Sequence, residues 1–117
     1  MTNALLEKTH DPDTNLIAAR AVAELFGLSY RELGRAIGEP ESTVKAPRAS
    51  RKLQPKLQQL LLAYETLQTT FPDDVIPKWM RHPIRRLRGI TPLALLEQSG
   101  VENFVALTDE IAGGSYA

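Results

Sequence analysis

The sequence predicts an all-α protein, and two observations predict it. Apolar residues recur at intervals of three and four along most of the chain, as one face of a helix requires. Residues that start and stop helices stand at the ends of those stretches. Ser29 with Glu32, Pro55, and Thr91 with Pro92 mark starts, while Gly27, Gly38, Gly100 and Gly113 mark ends. The expected architecture is a helix-turn-helix-like N-terminal bundle, a central amphipathic helix and a C-terminal helical hairpin.

Residues 1–13 are polar and unpatterned and are expected to form a flexible arm. Asp13 or Thr14 then caps a helix whose apolar stripe is Leu16, Ile17, Ala19, Val22, Ala23, Leu25 and Phe26, and Gly27 ends it. Ser29 and Glu32 have capping-box spacing, in which hydroxyl and carboxylate each accept from an otherwise unpartnered backbone N–H, so a second helix is predicted over 30–37. Gly38 breaks it, Glu39 and Pro40 turn the chain, and a short third segment is expected over 40–45. Pro47 stops that segment, because its ring clashes with the preceding turn and it has no N–H to donate.

The clearest amphipathic pattern follows. Leu53, Leu57, Leu60, Leu61, Tyr64, Leu67 and Phe71 step by three and four, and Pro55 suits a first turn, so a spine helix is predicted over 54–70. Leu62 lies beside this stripe and marks an oligomer contact. Pro72, Asp73 and Asp74 end the spine, and a short helical turn over 75–80 brings Trp79 toward it as a core anchor. Thr91 as N-cap, Pro92 at the first helical position and the apolar Leu93, Leu95 and Leu96 give the next helix, which Gly100 closes in a left-handed cap. Val101, Phe104, Val105, Leu107, Thr108, Ile111 and Ala112 then recur at helical spacing up to Gly113, completing a hairpin.

At 117 residues there is no room for a large catalytic domain. No nucleophile with an adjacent base, no paired carboxylates in a recognisable setting and no Gly-rich phosphate loop are visible, so no catalytic residue and no enzyme activity are expected. His82 has no second ligand at metal spacing and His10 lies in the arm, so no metal or cofactor is expected. No apolar run approaches a membrane span, the N-terminus lacks the order of a signal peptide, and the absence of Cys is compatible with the cytoplasm.

The formal net charge of zero hides a pattern. Residues 45–56 carry 5 basic and no acidic side chains, whereas 89–117 carry 4 acidic and no basic ones. Such an arrangement suits two partners of opposite preference, nucleic acid at one site and a cationic protein groove at the other; a solvated face is the plain alternative for each block.

Helix, three-residue turn and helix is the outline of a helix-turn-helix. Leu33, Ile37, Gly38 and Val44 fall where that motif wants apolar packing and a turn glycine, and the first half resembles the Xre-type DNA-binding unit. Gly34 departs from it, standing where Ala is more usual, and Pro47 leaves a reading helix of barely two turns. The candidate DNA contacts are Ser42, Thr43 and Lys45, with Arg48, Arg51, Lys52 and Lys56 better suited to phosphates than to base edges. A degenerate helical module that only dimerises is the other reading of the same residues.

In the last third, Trp79, Pro83, Leu87, Gly89, Thr91, Pro92, Leu93, Leu95, Leu96, Gly100, Val105, Leu107, Ile111 and Gly113 have a joint spacing that resembles the toxin-binding domain of the MbcA/ParS/Xre antitoxins. The resemblance covers roughly residues 74 to 114. It implies a helix-turn-helix and spine over 14–71, for dimerisation and DNA binding, and a toxin-binding domain with a C-terminal tail over 72–117. It also implies the antitoxin of a type II toxin-antitoxin system, whose partner is a RES-domain toxin that degrades NAD. The resemblance further implies that such an antitoxin covers or enters the toxin's active-site cleft and represses its own operon at operator DNA, while the Leu62 face and the pairing of helix-turn-helix units on palindromic sites point to a homodimer within the hetero-oligomer. A helix-turn-helix transcriptional regulator without a toxin partner is the alternative.

Relatives carry a small or Asn-containing turn where this chain has Ile84, Arg85, Arg86, Leu87 and Arg88, which makes the expected contact surface more basic. The candidate toxin contacts are Trp79, Arg85, Arg86, Arg88, Gly89, Thr91, Pro92 and Glu110, followed by Gly113, Gly114, Ser115, Tyr116 and Ala117 as a plug. Glu97, Glu102, Asp109 and Glu110 suit the basic groups of an enzyme that handles a phosphate-rich substrate.

Overall fold

The computed structural model of the chain describes residues 4–113, which form eight α-helices, with two isolated β-bridges and no strand among the described residues. The first helix, α1 (Ala4–Thr9), stands where a flexible arm was expected. Leu5 and Thr9, four residues apart, are both buried, and the Thr9 hydroxyl donates to the Leu5 carbonyl at 2.8 Å. Two inward positions are too few to register as a period, which is why the sequence reads as patternless there.

The second helix also begins later than expected. The Thr14 hydroxyl accepts from Leu16 N at 3.3 Å, and an Asp11 carboxylate oxygen accepts from Asp13 N at 2.9 Å, so these side chains close a turn instead of capping a helix. Asn15 takes a left-handed φ of 59° in that turn. His10 and Ile17 form a bridge, and the Gln54 amide completes it, accepting from Ile17 N at 2.8 Å and donating to Ile17 O at 3.0 Å. Helix α2 (Ala19–Phe26) follows.

Helix α3 (Tyr30–Ile37) carries the predicted capping box: Glu32 N donates to Ser29 Oγ at 3.0 Å, and Ser29 N to Glu32 Oε1 at 2.8 Å. Helix α4 (Glu41–Lys45) packs directly against it. The departure at Gly34 has a steric reason, since a Cβ there would lie 2.5 Å from the Glu39 carbonyl oxygen. The α3–α4 turn folds back onto the helix at this glycine, and no larger residue fits without moving backbone.

A 3-10 turn over Arg51–Leu53 leads into α5 (Gln54–Gln68), the spine, with Leu57, Leu60, Leu61, Tyr64 and Leu67 buried and Leu62 outside at 62% exposure. Helix α6 (Ile76–Met80) follows; α7 (Pro92–Ser99) starts where Thr91 Oγ1 accepts from Ala94 N at 3.0 Å. Gly100 differs from the expected left-handed cap: its φ of 90° and ψ of 173° describe an extended positive-φ turn. It both closes α7 and opens α8 (Val101–Ala112), and this single residue makes the reversal.

Helix α8 packs along α5 and α7, α7 also reaches α3, and α2 lies on α5 and α6. At the centre Phe26 meets Tyr64 and Phe104 edge-on, with ring centroids 5.3 and 5.8 Å apart, and Trp79 sits 5.7 Å from Phe71 and 6.3 Å from Phe104. Buried residues from both sides of the expected boundary at residue 72 belong to one continuous cluster.

Candidate functional site

Between α6 and α7 the chain closes a tight loop. Ile84 N donates to the Ile90 carbonyl at 3.1 Å, and Gly89 N donates to the Ile84 carbonyl at 3.0 Å. Ile84 is buried and pins the loop's base, while a 3-10 turn over Arg85–Leu87 crosses its tip. Arg88 and Gly89 then take positive φ values of 59° and 84°, reversing the chain. Arg85, Arg86, Arg88, Gly89 and Ile90 are all exposed as a result. A side-chain-bearing residue in left-handed backbone costs about 1–2 kcal/mol, so Arg88 holds strain at the most cationic point of this surface.

Arg86 Nη2 lies 2.9 Å from Glu110 Oε2, which ties the last turns of α8 to the basic loop. Glu110 and Gly113 therefore belong to the same surface as the arginines. The other candidate contacts divide differently. Trp79 is 8% exposed between Phe71 and Phe104, and Pro92 is buried, so neither presents a surface to a partner in this arrangement. Thr91 is half-buried, with its hydroxyl engaged as the α7 cap. These three hold the frame behind the loop. Gly114, Ser115, Tyr116 and Ala117 lie outside the described residues.

Arg81 anchors the segment leading to the loop. Its guanidinium donates to Glu32 Oε1 at 2.7 Å, to Glu32 Oε2 at 3.1 Å and to the Gly27 carbonyl at 2.8 Å. The hydrogen bonds from Arg81 hold the Glu32 carboxyl down at about 2, against a burial that pushes it up, with further lowering by the Ser29 bonds. Arg35 reaches Glu97 on α7 at 3.4 Å, so α3 is tied to both sides of the loop. Nothing in the sequence announced Arg81, because its partner lies 49 residues away.

The candidate DNA contacts gather around the end of α4. Ser42, Lys45, Arg48 and Arg51 are exposed and Thr43 is half-buried, but α4 itself has five residues, shorter than the expected two turns. Lys52 and Lys56 are exposed too and also have partners within the chain: Lys52 Nζ sits 3.3 Å from Glu39 Oε1, and Lys56 Nζ donates to the Ile37 carbonyl at 2.9 Å, capping α3. Arg20, which sequence reasoning missed, donates from Nε to the Lys45 carbonyl at 2.7 Å and from Nη2 to the same oxygen. It caps α4 where Pro47 ends it and lines the same cleft as Arg48.

Among the described residues no group of three or more His, Cys, Asp and Glu side chains could hold a metal ion, and no helix is long and apolar enough to cross a membrane. No family model matches the sequence, and no curated protein matches it. Among solved structures, one chain of the crystal structure of the M. tuberculosis MbcT-MbcA toxin-antitoxin complex is similar, with a TM-score of 0.59 and 24% sequence identity over 86% of this chain and 95% of that one. The all-helical fold assembled above is thus the fold of a chain from a toxin-antitoxin complex.

Proposed function

We propose that the chain is the antitoxin of a type II toxin-antitoxin pair, which binds and neutralises a RES-domain, NAD-degrading toxin in the cytoplasm by occluding its active site. The observation that carries this reading is the shared fold with a chain of a toxin-antitoxin complex, over 86% of the chain. The basic loop supports it: a frame of Trp79, Pro92 and the Thr91 cap holds Arg85, Arg86 and Arg88, with Arg86 paired to Glu110 near the end of α8. Occlusion by such a surface needs preorganisation and shape, and no catalytic group of its own.

The test is inhibition of NAD consumption by the protein encoded in the adjoining reading frame. The full chain abolishes that activity, and removing residues 113–117 weakens inhibition while the melting curve stays in place. Unchanged inhibition by the shortened chain would count against the plug.

A homodimer and operator binding belong to the same reading. The exposed Lys45, Arg48 and Arg51 around α4 favour a regulator that acts on DNA, either as the antitoxin's second role or as a regulator without a toxin. Operator binding that needs the toxin present favours the first; tight, salt-sensitive binding by the chain alone, whose salt slope drops by about one unit in Arg48→Ala, favours the second.

A further inference from the structure

Helices α5 and α8 leave a groove on their outer side. It is lined by Gln59 and Leu62 from α5 and by Glu102, Val105, Ala106 and Asp109 from α8. Leu62, at 62% exposure, is the most exposed of the large hydrophobic residues in the described chain, and Val105 and Ala106 continue its apolar floor. Glu102 and Asp109 stand seven residues apart at either side of that floor, both exposed and neither in an ion pair among the described residues. No cation lines the groove.

This charge distribution selects the occupant. A second copy docked by two-fold symmetry would set the same patch against itself, and carboxylates would then face carboxylates across a dehydrated floor. A different protein that presents a helix with one apolar tip and a Lys or Arg on each side would pair both carboxylates and bury Leu62.

We infer that the α5/α8 groove is a second docking surface for the toxin, taking a cationic, apolar-tipped helix from it. The inference rests on the antitoxin reading and adds to it a contact that neither blocks the toxin's active site nor involves the tail. Its role is to hold the two proteins together while the end of α8 reaches the cleft.

The experiment measures affinity of the full chain for the adjoining frame's product by calorimetry, together with sedimentation of the chain alone. Wild type is compared with Leu62→Gln, Leu62→Glu and the double variant Glu102→Lys with Asp109→Lys, each checked for an unchanged melting curve. The expected result is about ten- to a hundred-fold weaker toxin binding for Leu62→Glu and the double variant, with self-association as in wild type. Wild-type affinity in folded variants overturns the groove and leaves the antitoxin reading standing. Loss of self-association with toxin affinity intact also overturns it, making the groove a contact between copies. If wild type itself does not bind the product, the antitoxin reading and the groove fall together. Because all three positions lie at the surface, Leu62→Gln keeps the test open should the charged variants misfold.

Discussion

Arg81 and Glu32 form a two-pronged ion pair, 2.7 and 3.1 Å, that locks the entry to the basic loop onto the N-terminal cap of α3. The same carboxylate closes the capping box with Ser29, so one side chain both starts a helix in the first half of the chain and fixes a loop in the second. Removing either partner leaves the other's charge without its match. Arg81→Met or Glu32→Gln is expected to destabilise the fold by about 1–2 kcal/mol, the lower part of the range for charged hydrogen bonds, because the Arg81 side chain is 50% exposed and screened by solvent. Urea denaturation near neutral pH measures it.

The same pair predicts an acid dependence. The Glu32 carboxyl is lowered from 4.5 to about 2 by folding, so its contribution is fully present above about 4.5 and is lost as pH falls toward 2. The stability difference between wild type and Glu32→Gln should therefore shrink across that window. A difference that stays constant down to about pH 2 would show that the pair does not set the shift.

At the opposite end of the pH scale, Tyr64 is pushed up to about 12 by burial first and then by Asp73. The neutral phenol is the native form, so its contribution holds below about 10 and disappears as pH rises from 10 toward 12. Absorbance titration should show one tyrosine ionising only with unfolding, and Tyr64→Phe should remove that component while keeping the ring contact with Phe26.

Gly34→Ala sets two effects against each other. Alanine improves helix propensity by about 1 kcal/mol, but its Cβ would sit 2.5 Å from a backbone oxygen. Overpacking against backbone costs about 1–3 kcal/mol, so the net effect is expected to be destabilising, by up to about 2 kcal/mol. A higher melting temperature for Gly34→Ala would mean that the α3–α4 turn opens readily.

Arg88→Gly separates stability from binding. Relief of left-handed strain, about 1–2 kcal/mol, exceeds the added flexibility of the unfolded chain, about 0.4–1 kcal/mol, so stability should hold or rise slightly. On the antitoxin reading, affinity for the product of the adjoining reading frame should fall, since a cation leaves the exposed loop. Calorimetry and thermal melting on one preparation measure both; lowered stability with unchanged affinity would assign Arg88 to the fold.

What the sequence made legible is what is written locally. Ser29 with Glu32, Thr91 with Pro92, and the stripe from Leu53 to Leu67 all act within one or two turns, and the helices they predict form with boundaries close to those expected. Helix α1 is not legible because only Leu5 and Thr9 face inward, and the cap expected at Asp13 or Thr14 gives way to a turn in which the Thr14 hydroxyl accepts from Leu16 N two residues ahead. The site's electrostatics were legible only in part. Arg85, Arg86 and Arg88 read correctly as a cationic stretch at the surface, but Lys52 and Lys56 serve Glu39 and the end of α3, while Arg20 reaches Lys45 across 25 residues. Such pairings depend on which helices fold together, and residue spacing does not carry that information.

The most direct measurement is NAD consumption by the purified product of the adjoining reading frame, titrated with this chain. The account predicts that the activity falls to zero at a fixed stoichiometry and that Arg85→Glu with Arg88→Glu releases it without lowering the chain's melting temperature. Full NAD consumption in the presence of excess folded chain would contradict it.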